Sequence, residues 1–507
     1  MAQINVSNLT FSYERSFDNV FEQVSFSIDT NWRLGFIGRN GKGKTTFLNL
    51  LLGRYEYEGR ITSTTVFDYF PYTISELQMN MPMIDFMEDI KSDCEQWRVI
   101  CELEKLKTSA EVLYRPFYTL SHGERTKVML AILFSRENDF LLIDEPTNHL
   151  DQEARMNVKD YLMQKKGFLI VSHDRDLLDA CVDHVLVLNR KTIEIQNGNF
   201  SSWWENKNRA DTFSEMENEK HLREIQCLKR AADQSKRWAQ KSENSKIGFD
   251  PVKEHDRSIA ARAYIGAKTK KMQKRVKQYE QRMEQTIEEK EGLLQDIEKT
   301  VDLKISPLIY HKDVLILAKD FSFGYEDAKQ DVVKNLNFEL HQGERIFLNG
   351  LNGCGKSSFI KAILSCAGKY EMQRSIKKGA LTVASGVKIS YISQDTDFLK
   401  GNIKDFCEKK NLDESLFCAI LRQLDMERVQ FVKPMEEYSQ GQKKKVLIAA
   451  SLMTPAHIYI WDEPLNYIDV FSRMQIEKLI LDYKPTMIVV DHDIRFQEKI
   501  ATKVIHM

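Results

Sequence analysis

Two stretches of this 507-residue chain combine glycines with a lysine in a pattern that can bind nucleotide phosphates. Residues 38–45 read GRNGKGKT and residues 350–357 read GLNGCGKS, so both fit the pattern GxxxxGK(S/T) at an offset of 312 residues. In such a loop, consecutive backbone N–H groups point at phosphate oxygens, the lysine reaches the β- and γ-phosphates, and the final hydroxyl can ligate Mg²⁺. A single copy could be a chance glycine-rich turn. Two copies at a constant offset predict two ATP sites.

Each half of the chain also carries two adjacent carboxylates at the end of an apolar run. They are Asp144 with Glu145 and Asp462 with Glu463. The aspartate can hold Mg²⁺, and the glutamate can accept a proton from the attacking water or orient it. On its own, an aspartate–glutamate pair is a common way for a strand to end. Repeated behind two phosphate loops, the pair predicts the catalytic carboxylates.

A histidine follows a second apolar run in each half. His173 lies in the run FLIVSHD and His492 lies in the run MIVVDHD. One histidine at the end of a buried strand is more often structural. The repeated order and spacing of these motifs instead favour a sensor of the γ-phosphate in each half.

A serine and a glycine stand at the start of a helix-compatible run in each half. Residues 120–124 read LSHGE and residues 438–442 read YSQGQ, and each serine lies 23 residues before its aspartate. Alone, such a pentad is an ordinary helix N-cap. The runs at 125–134 and 443–452 predict helices whose N-termini can bind phosphate.

This set of motifs resembles the ATP-binding cassette (ABC) superfamily over about 200 residues at each end of the chain, and the pentads resemble its signature. The resemblance implies an α/β fold with two P-loop ABC ATPase domains that close head to tail on ATP and Mg²⁺. Each ATP then lies between one phosphate loop and the other domain's signature pentad. The implied ATP-binding residues are Tyr13, Gly38, Asn40, Gly41, Gly43, Lys44, Thr45, Thr46, Ser121, Gly123, Tyr325, Gly350, Asn352, Gly353, Gly355, Lys356, Ser357, Ser358, Ser439 and Gly441. The implied Mg²⁺ ligands are Thr45, Asp144, Ser357, Gln394 and Asp462, and the implied catalytic residues are Glu145, Glu463, His173 and His492.

The two halves differ where the family places a glutamine that contacts Mg²⁺ and water. Gln394 follows an apolar run in the second half, whereas the matching position in the first half is Tyr72. Both signature pentads also lack the first glycine of the LSGGQ pattern, with His122 and Gln440 in its place. The site that contains Lys44 is therefore expected to bind ATP but to hydrolyse it differently. Both sites keep a glutamate and are expected to hydrolyse ATP.

A highly charged segment from about residue 198 to residue 312 separates the two halves. Residues 221–282 hold 17 Lys+Arg against 7 Asp+Glu, although the whole chain has a net charge of −1. Heptad-like apolar spacing predicts two antiparallel helices, a hairpin whose irregular, basic tip lies near residues 245–263. A coiled-coil spacer with a solvated charged face is the alternative. The concentration of positive charge toward the tip instead favours a phosphate-rich partner.

Two cassettes joined by a long α-helical hairpin (coiled-coil) linker resemble the ABC-F family, whose members act on ribosomes. The predicted domains are 1–199 and 312–507 for the ATPases and 200–311 for the linker. Only 49 and 45 residues separate the glutamine positions from the signature serines, which leaves no room for additional arm helices in the first cassette. Short cassettes with an enlarged hairpin resemble the antibiotic-resistance group of ABC-F proteins, including the Lsa/Vga type.

The resemblance to that group implies a partner and a role. The partner would be the large subunit of the bacterial ribosome, through its 23S rRNA, together with tRNA, and the chain would act as a monomer whose cassettes close intramolecularly. ATP binding would drive docking, and hydrolysis would drive release. The hairpin tip would protect the peptidyl-transferase centre from lincosamide, pleuromutilin and streptogramin A antibiotics. The implied tip residues are Lys246, Phe249, Lys253, Arg257 and Arg262.

Composition and the same motifs limit the other function classes. The longest apolar run is about seven residues, no secretion signal is apparent, and the eight cysteines are scattered, which favours a cytoplasmic protein without a membrane partner. A housekeeping ABC-F translation factor is the main alternative. The ATPase subunit of an ABC transporter is less favoured, because the basic hairpin speaks against it. A DNA-repair ABC ATPase would be expected to carry zinc-type cysteine pairs.

Overall fold

The computed structural model describes both ATPase halves and the first helix of the segment between them. The described residues are 3–13, 19–91, 94–136, 139–148, 150–189, 192–244, 274, 277, 278, 281, 282, 286, 303–325, 331–370 and 375–507. The chain divides into two compact units, Met1–Trp203 together with Val301–Met507 and, separately, Trp204–Thr300. The predicted domain boundaries at residues 199 and 312 stay a prediction.

In the first half of the larger unit, strands alternate with helices between residues 66 and 188, with a few short helices before the signature pentad, whereas the first three strands follow one another directly. This alternation is the pattern that builds a parallel sheet with helices on its faces. In chain order the elements are β1 (Gln3–Phe11), β2 (Phe21–Asp29), β3 (Arg33–Ile37), α1 (Lys44–Leu51), β4 (Glu58–Thr62), β5 (Val66–Phe70), α2 (Glu76–Met79), α3 (Met83–Ile90), α4 (Gln96–Lys105), α5 (His122–Leu133), β6 (Asp139–Asp144), α6 (Gln152–Met163), β7 (Phe168–Val171), α7 (Arg175–Cys181), β8 (His184–Leu188) and β9 (Ile193–Asn197).

One long helix, α8 (Phe200–Asn244), makes up most of the described part of the smaller unit. Its 45 residues contain no proline or glycine, and it matches the first helix of the predicted hairpin. The predicted tip lies outside the described residues, with Lys246, Phe249, Lys253, Arg257 and Arg262. Nearly all of the predicted second helix lies outside them as well. In the described part of the chain, no helix is long and apolar enough to cross a bilayer.

The second half of the larger unit repeats the order of the first. Its elements are β10 (Val314–Tyr325), β11 (Val333–His341), β12 (Arg345–Asn349), α9 (Lys356–Cys366), β13 (Ser375–Val383), β14 (Ile389–Ile392), α10 (Ile403–Lys410), α11 (Glu414–Gln423), α12 (Gln440–Met453), β15 (Ile458–Asp462), α13 (Val470–Tyr483), β16 (Met487–Val490), α14 (Ile494–Ile500) and β17 (Lys503–His506). Repetition of the elements matches the repetition of the motifs.

Each half contains one mainly parallel sheet and one antiparallel sheet. The parallel sheets have the strand orders β5-β6-β7-β3-β8-β9 and β14-β15-β16-β12-β17, and the pairing of β8 with β9 is antiparallel. The antiparallel sheets have the orders β2-β1-β4 and β11-β10-β13. Ligands of open α/β sheets bind outside the carboxyl ends of the strands. The loops after β3, β6 and β7 therefore meet at one edge, and those after β12, β15 and β16 do so in the second half.

Apolar side chains bury the parallel strands on both faces. All five residues of β15 and all four residues of β16 are buried, which is why these strands read as continuous apolar runs. Trp461 on β15 is completely buried, and its indole Nε1 donates to Ser451 Oγ at 3.0 Å. A buried tryptophan needs such a partner for its N–H. The packed strands hold the carboxylates that follow them in fixed positions.

Candidate active sites

The first phosphate loop turns between β3 and α1 around the ammonium group of Lys44. Lys44 Nζ donates to the backbone carbonyls of Gly38 at 2.6 Å and Arg39 at 3.1 Å. Gly43 has a φ of 106°, and a Cβ added there would lie 2.6 Å from a methyl carbon of Val20, so only glycine fits. The backbone thus forms a cradle at a helix N-terminus, which is a geometry that binds phosphate.

The second phosphate loop has the same shape between β12 and α9. Lys356 Nζ donates to the carbonyls of Gly350 at 2.7 Å and Leu351 at 3.0 Å, and Gly355 has a φ of 103°. Asn352 lies within the loop. Gly41 and Gly353 also occupy matching places in the two loops, with φ values of 79° and 83°. Ser357 and Ser358 lie in the first turn of α9. The two halves therefore offer two equivalent phosphate cradles.

Tyr13 lies beside the first phosphate loop. Its hydroxyl is 2.6 Å from Thr46 Oγ1, and its ring centroid is 5.1 Å from that of Phe11 and 6.0 Å from that of Tyr55. The residue is 44% exposed, and an exposed aromatic ring can stack on a base. Tyr325 is the last residue of β10 in the second half.

The carboxylate of Asp144, at the end of β6, accepts two hydrogen bonds on Oδ2. Thr45 Oγ1 donates at 3.1 Å and the hydroxyl of Tyr69 donates at 3.2 Å. Burial raises the pKa of Asp144, and the bonds from Thr45 and Tyr69 oppose that rise. The sheet therefore brings a carboxylate and a phosphate-loop hydroxyl together, which is a pair that can ligate a hard divalent cation.

Glu145 and Glu463 both have a left-handed backbone, with φ values of 50° and 48°. Their N–H groups donate to the carbonyls of Val171 and Val490, each at 2.8 Å, which fixes both turns against the neighbouring strand. Burial and then the charge of Asp144 raise the pKa of Glu145, and the charges of Arg473 and Lys44 oppose that rise. Left-handed backbone is strained for glutamate, and such strain is concentrated at functional sites. The geometry thus sets both glutamates apart from ordinary strand ends.

Amide donors surround the second carboxylate pair. Gln394 Nε2 donates to Glu463 Oε2 at 3.0 Å, and Asn466 Nδ2 donates to the same oxygen at 2.7 Å. Burial raises the pKa of Asp462, against a hydrogen bond from Ser357. Asp462 Oδ1 is buried without a hydrogen-bond partner in the described part of the chain. A cation bound at this oxygen would satisfy it.

A histidine borders each site, two residues after the end of the neighbouring strand. His173 Nε2 lies 2.9 Å from Asn40 Oδ1 and 3.3 Å from Glu145 Oε1. His492 Nε2 lies 4.0 Å from Glu463 Oε1, and among the described residues it has no hydrogen-bond partner. Burial lowers the pKa of both imidazoles, to about 4 for His492. Both rings are therefore neutral near pH 7 and can donate one N–H to a phosphate.

The signature serines cap helices α5 and α12. The hydroxyls of Ser121 and Ser439 accept hydrogen bonds from the N–H three residues later at 3.2 Å and 3.3 Å, and the side chain at that later position bonds back to the cap N–H. This capping box starts each helix within the pentad. The predicted helical runs at 125–134 and 443–452 lie in these helices, and the prediction that the pentads stand at the helix N-termini is confirmed, with the first turn beginning at His122 and Gln440.

The first phosphate loop contacts the second half directly. Asn40 Nδ2 donates to the carbonyl oxygen of Tyr467 at 2.8 Å. A Cβ added to Gly441 would lie 2.6 Å from that carbonyl oxygen and 3.6 Å from Asn40 Nδ2, so a side chain at position 441 would clash. At Gly123, in contrast, the nearest atom would be 3.7 Å away. The second signature pentad therefore lies against the loop that holds Lys44.

A second polar contact between the halves lies beside the other phosphate loop. Asn349, the last residue of β12, donates from Nδ2 to Gln152 Oε1 at 2.8 Å. Gln152 is the first residue of α6, after the carboxylate pair of the first half. Both phosphate loops thus have a neighbour in the opposite half.

The sequence motifs did not identify the residues between each carboxylate pair and the helix that follows. Asp469 caps α13, is completely buried and lies 3.2 Å from Lys445 Nζ. Burial opposes ionisation, but the Lys445 ammonium and the Ser472 N–H hold the pKa of Asp469 well below its usual range. A signal was present in the sequence, because Asp151 and Asp469 lie six residues after Glu145 and Glu463 and each caps a helix.

Tyr72 and Gln394 occupy matching places, two residues after strands β5 and β14. The hydroxyl of Tyr72 donates to Asp68 Oδ2 at 3.0 Å, and Lys91 Nζ donates to the same oxygen at 2.8 Å. The hydroxyl of Tyr72 is therefore hydrogen-bonded to Asp68. Tyr69, which the motifs did not single out, is the tyrosine that reaches the aspartate of the first site.

Replacing Gln394 with alanine is expected to lower ATP turnover at the site that contains Lys356 about tenfold or more, because a hydrogen bond to a charged group contributes about 1.5–3 kcal/mol. The steady-state ATPase rate should fall by the share that this site contributes. Tyr72→Phe is the matched control at the equivalent position. It removes a bond to Asp68 and leaves the carboxylates of the site untouched, so the rate should stay near that of the parent protein. Phosphate release at saturating ATP measures both effects. Equal losses in the two variants would contradict the assignment.

Comparison with known proteins gives the family and the fold. A sequence profile of the ABC transporter family matches residues 21–148 and 333–466. Ribosome protection protein VmlR of Bacillus subtilis is 26% identical over 502 residues, which cover 96% of this chain and 84% of that protein. The energy-dependent translational throttle protein EttA of Haemophilus influenzae is 24% identical over 538 residues, 96% of this chain and 89% of that protein.

A solved structure extends the likeness to three dimensions. Archaeal ribosome recycling factor aABCE1, in a crystal structure with the ribosomal stalk protein aP1, aligns with a TM-score of 0.62 at 18% identity. The alignment covers 98% of this chain and 87% of that chain. Together with the profile, it confirms the predicted fold class of two α/β cassettes with a helical region between them.

Proposed function

This chain belongs to the ABC transporter family, and from that membership we propose that it is a ribosome-binding ATPase of the ABC-F type that protects the ribosome from antibiotics. Its two cassettes bind and hydrolyse ATP, as family membership implies. The observation that carries the ATPase part of the proposal is the contact of one phosphate loop with the other half's signature, through Asn40, Tyr467 and Gly441. Such a site is complete only when both halves meet.

Each predicted site residue has one task in this ATPase. Lys44 and Lys356 bind the β- and γ-phosphates, Glu145 and Glu463 accept a proton from the attacking water, and the two histidines donate to the γ-phosphate. Mg²⁺ would neutralise charge on the phosphates. It would be held by Thr45 and Asp144 in one site and by Ser357, Asp462 and Gln394 in the other. The unpartnered Asp462 Oδ1 supports this placement, because a buried carboxylate oxygen requires a partner.

The proposed partner is the large subunit of the bacterial ribosome, with its 23S rRNA, and tRNA. Two kinds of observation support it. VmlR is named a ribosome protection protein and EttA a translational throttle protein, and the similarity to each covers 96% of this chain. Residues 221–282 also carry 17 Lys+Arg against 7 Asp+Glu, a charge that suits an RNA backbone. ATP-driven closure would present this segment, and hydrolysis would release it.

Antibiotic protection is the finer part of the proposal. The predicted tip residues, Lys246, Phe249, Lys253, Arg257 and Arg262, would act at the peptidyl-transferase centre, where lincosamide, pleuromutilin and streptogramin A drugs bind. Support comes from the short cassettes, the long α8 and the similarity to VmlR.

Shortening residues 246–262 is expected to lower drug resistance to the level of cells without the protein while leaving the ATPase rate largely unchanged. The reason is that residues 246–262 include no residue of either predicted ATP site, so the deletion removes none of them. Growth of cells that express the full chain, across the three drug classes, measures resistance, and phosphate release from purified protein measures activity. Retained resistance would rule out a role of the tip. A parallel loss of ATPase activity would show that the deletion had damaged the cassettes.

A housekeeping ABC-F translation factor is the second candidate function. The similarity to EttA favours it, because it covers 89% of that protein. The two functions separate in the same drug panel. A housekeeping factor would change translation without changing susceptibility to any of the three drug classes.

A further inference from the structure

Two ion pairs between the halves cross the edge of the site that contains Lys44. Arg39 Nη1 lies 3.0 Å from Asp425 Oδ1, and Lys42 Nζ lies 3.1 Å from Glu427 Oε1. Both cations belong to the first phosphate loop, and both acids follow α11 in the second half. The Arg39–Asp425 pair is mostly buried, with side-chain exposures of 22% and 17%. These pairs attach the phosphate loop itself to the opposite half.

A third ion pair joins the halves behind the same site. Arg175, two residues after His173, donates from Nη1 to Glu477 Oε2 at 3.1 Å. Both side chains are 3% exposed, and Lys499 Nζ lies 3.1 Å from the same carboxylate oxygen. Charges that are excluded from water attract each other strongly and are costly to separate. Opening this side of the molecule would require breaking a buried pair.

The matching positions of the other phosphate loop carry no such charges. Leu351 and Cys354 stand where the first loop has its arginine and its lysine. Lys107 matches Asp425, because each lies two residues past the end of a helix and has a left-handed backbone, with φ values of 54° and 62°. Ser109 stands at the place of the second acid. Neither Leu351 with Lys107 nor Cys354 with Ser109 can form an ion pair of the kind seen in the first site.

The buried pair has no charge-matched counterpart either. Lys159 matches Glu477, because each lies eight residues after the aspartate that caps its helix. Ile494 matches Arg175, because each lies two residues after the site histidine. A cleft between the halves is lined by Lys159, Asp174, His492 and Ile494. The second site therefore has a cleft where the first has a buried ion pair.

Arg495, the residue after Ile494, forms further ion pairs between the halves, with Asp176 at 2.7 Å and Asp179 at 2.5 Å. These pairs join α7 to α14, the two helices that follow the site histidines, so they belong to neither site alone.

We propose that Arg39, Lys42 and Arg175 are positioning residues that keep the site containing Lys44 assembled between turnovers. The halves then part mainly at the site containing Lys356, which exchanges its nucleotide first. That site is also the one in which Gln394 contacts Glu463. This inference rests on the proposed ATPase cycle and adds the order in which its two sites open.

The two pairs with little exposure, Arg39–Asp425 and Arg175–Glu477, should act on how fast the first site opens. Lys42–Glu427, whose glutamate is 60% exposed, should act mainly on how fast that site closes. Breaking a buried, hydrogen-bonded charge pair across an interface mainly raises the dissociation rate, whereas an exposed rim charge mainly changes the rate of association. Retention of nucleotide in each site is therefore the quantity that the pairs control.

Site-resolved nucleotide retention tests this assignment in the full chain. The protein is loaded with 8-azido-ATP and Mg²⁺, chased with unlabelled ATP, irradiated after increasing times and digested for mass spectrometry. Label on the peptide that contains Tyr13 reports the first site, and label on the peptide that contains Tyr325 reports the second. We expect label to persist about tenfold longer or more in the first site, which is the low end of the effect of close charge pairs across an interface.

Charge reversal separates a positioning role from a merely structural one. Arg39→Glu with Lys42→Glu is expected to shorten retention in the first site to that of the second. Adding Asp425→Lys and Glu427→Lys re-forms the pairs in reverse and should restore retention, which a general loss of folding would not allow. Lys107→Glu, at the matching place on the other edge, is the control and should leave retention in the first site unchanged.

Three results would overturn the inference: equal retention in both sites, longer retention in the second site, or no response of the first site to charge reversal. Neither ribosome nor drug is present in this assay. A negative result in the retention assay would therefore not contradict the proposed ribosomal role. Absence of ribosome binding, in turn, would not contradict the proposed order in which the two sites open.

Discussion

Replacing both Glu145 and Glu463 with glutamine is expected to lower the ATPase rate about 10²–10⁴-fold, the usual contribution of a general base. Glutamine keeps the size of the side chain but cannot accept the proton of the attacking water. ATP should still bind, because the phosphate loops are unchanged. Since release from the ribosome is proposed to need hydrolysis, ATP-bound protein should accumulate on ribosomes. Phosphate release and co-sedimentation with ribosomes through sucrose measure the two effects.

Glu88, an exposed residue of α3, provides the matched control as Glu88→Gln. Its rate and its ribosome association should equal those of the parent protein. Undiminished hydrolysis in the double variant would contradict the catalytic role of the glutamates. Ribosome association that does not respond to ATP would contradict the docking step alone. Each single variant shows how much its site contributes to the total rate.

Replacing Glu477 with leucine is expected to lower the free energy of unfolding of the larger unit by about 3–5 kcal/mol, the usual cost of leaving a buried charge without its partner. Arg175 would keep only Asp493, at 4.0 Å. Replacing both members, as Arg175→Met with Glu477→Leu, is expected to be neutral or stabilising by about 1–4 kcal/mol, since both charges leave the interior together. Urea unfolding without nucleotide measures all of these variants.

Glu498→Leu is the control for this pair, because Glu498 is exposed on α14. Its free energy of unfolding should stay within about 0.5 kcal/mol of the parent value. A double variant that is as unstable as Glu477→Leu would show that the pair itself stabilises the fold. A single variant without any loss would show that the charges are not excluded from water.

The sequence was sufficient for the parts of the site that lie at strand ends. Asp144 ends β6 and Lys44 opens α1, and both follow from motifs whose spacing is tied to a strand and a loop. Parallel strands bring their carboxyl ends to one edge, so Thr45 meets Asp144 although 99 positions separate them. Local pattern and sheet topology together therefore predict each half-site.

Contacts between the two halves could not be predicted from the spacing of motifs in the sequence. Asn40 meets Tyr467, and Arg175 meets Glu477, only because the two halves pack in one particular way. Nothing in the local pattern of a loop indicates which distant carbonyl or carboxylate it will face. Tyr69 shows the same limit within one half, because its reach to an aspartate depends on side-chain direction and not on sequence position.

The left-handed turns at Glu145 and Glu463 lower the stability of the fold at residues that are proposed to act in hydrolysis. An ordinary side chain in that conformation costs about 1–2 kcal/mol relative to right-handed backbone, and glycine or asparagine would avoid most of it. Selection for a well-folded cassette alone would therefore place one of those residues at both turns. The proposed role in hydrolysis explains why a carboxylate stands there instead. A cassette that no longer needed to turn over ATP would be free to become more stable by losing its glutamate.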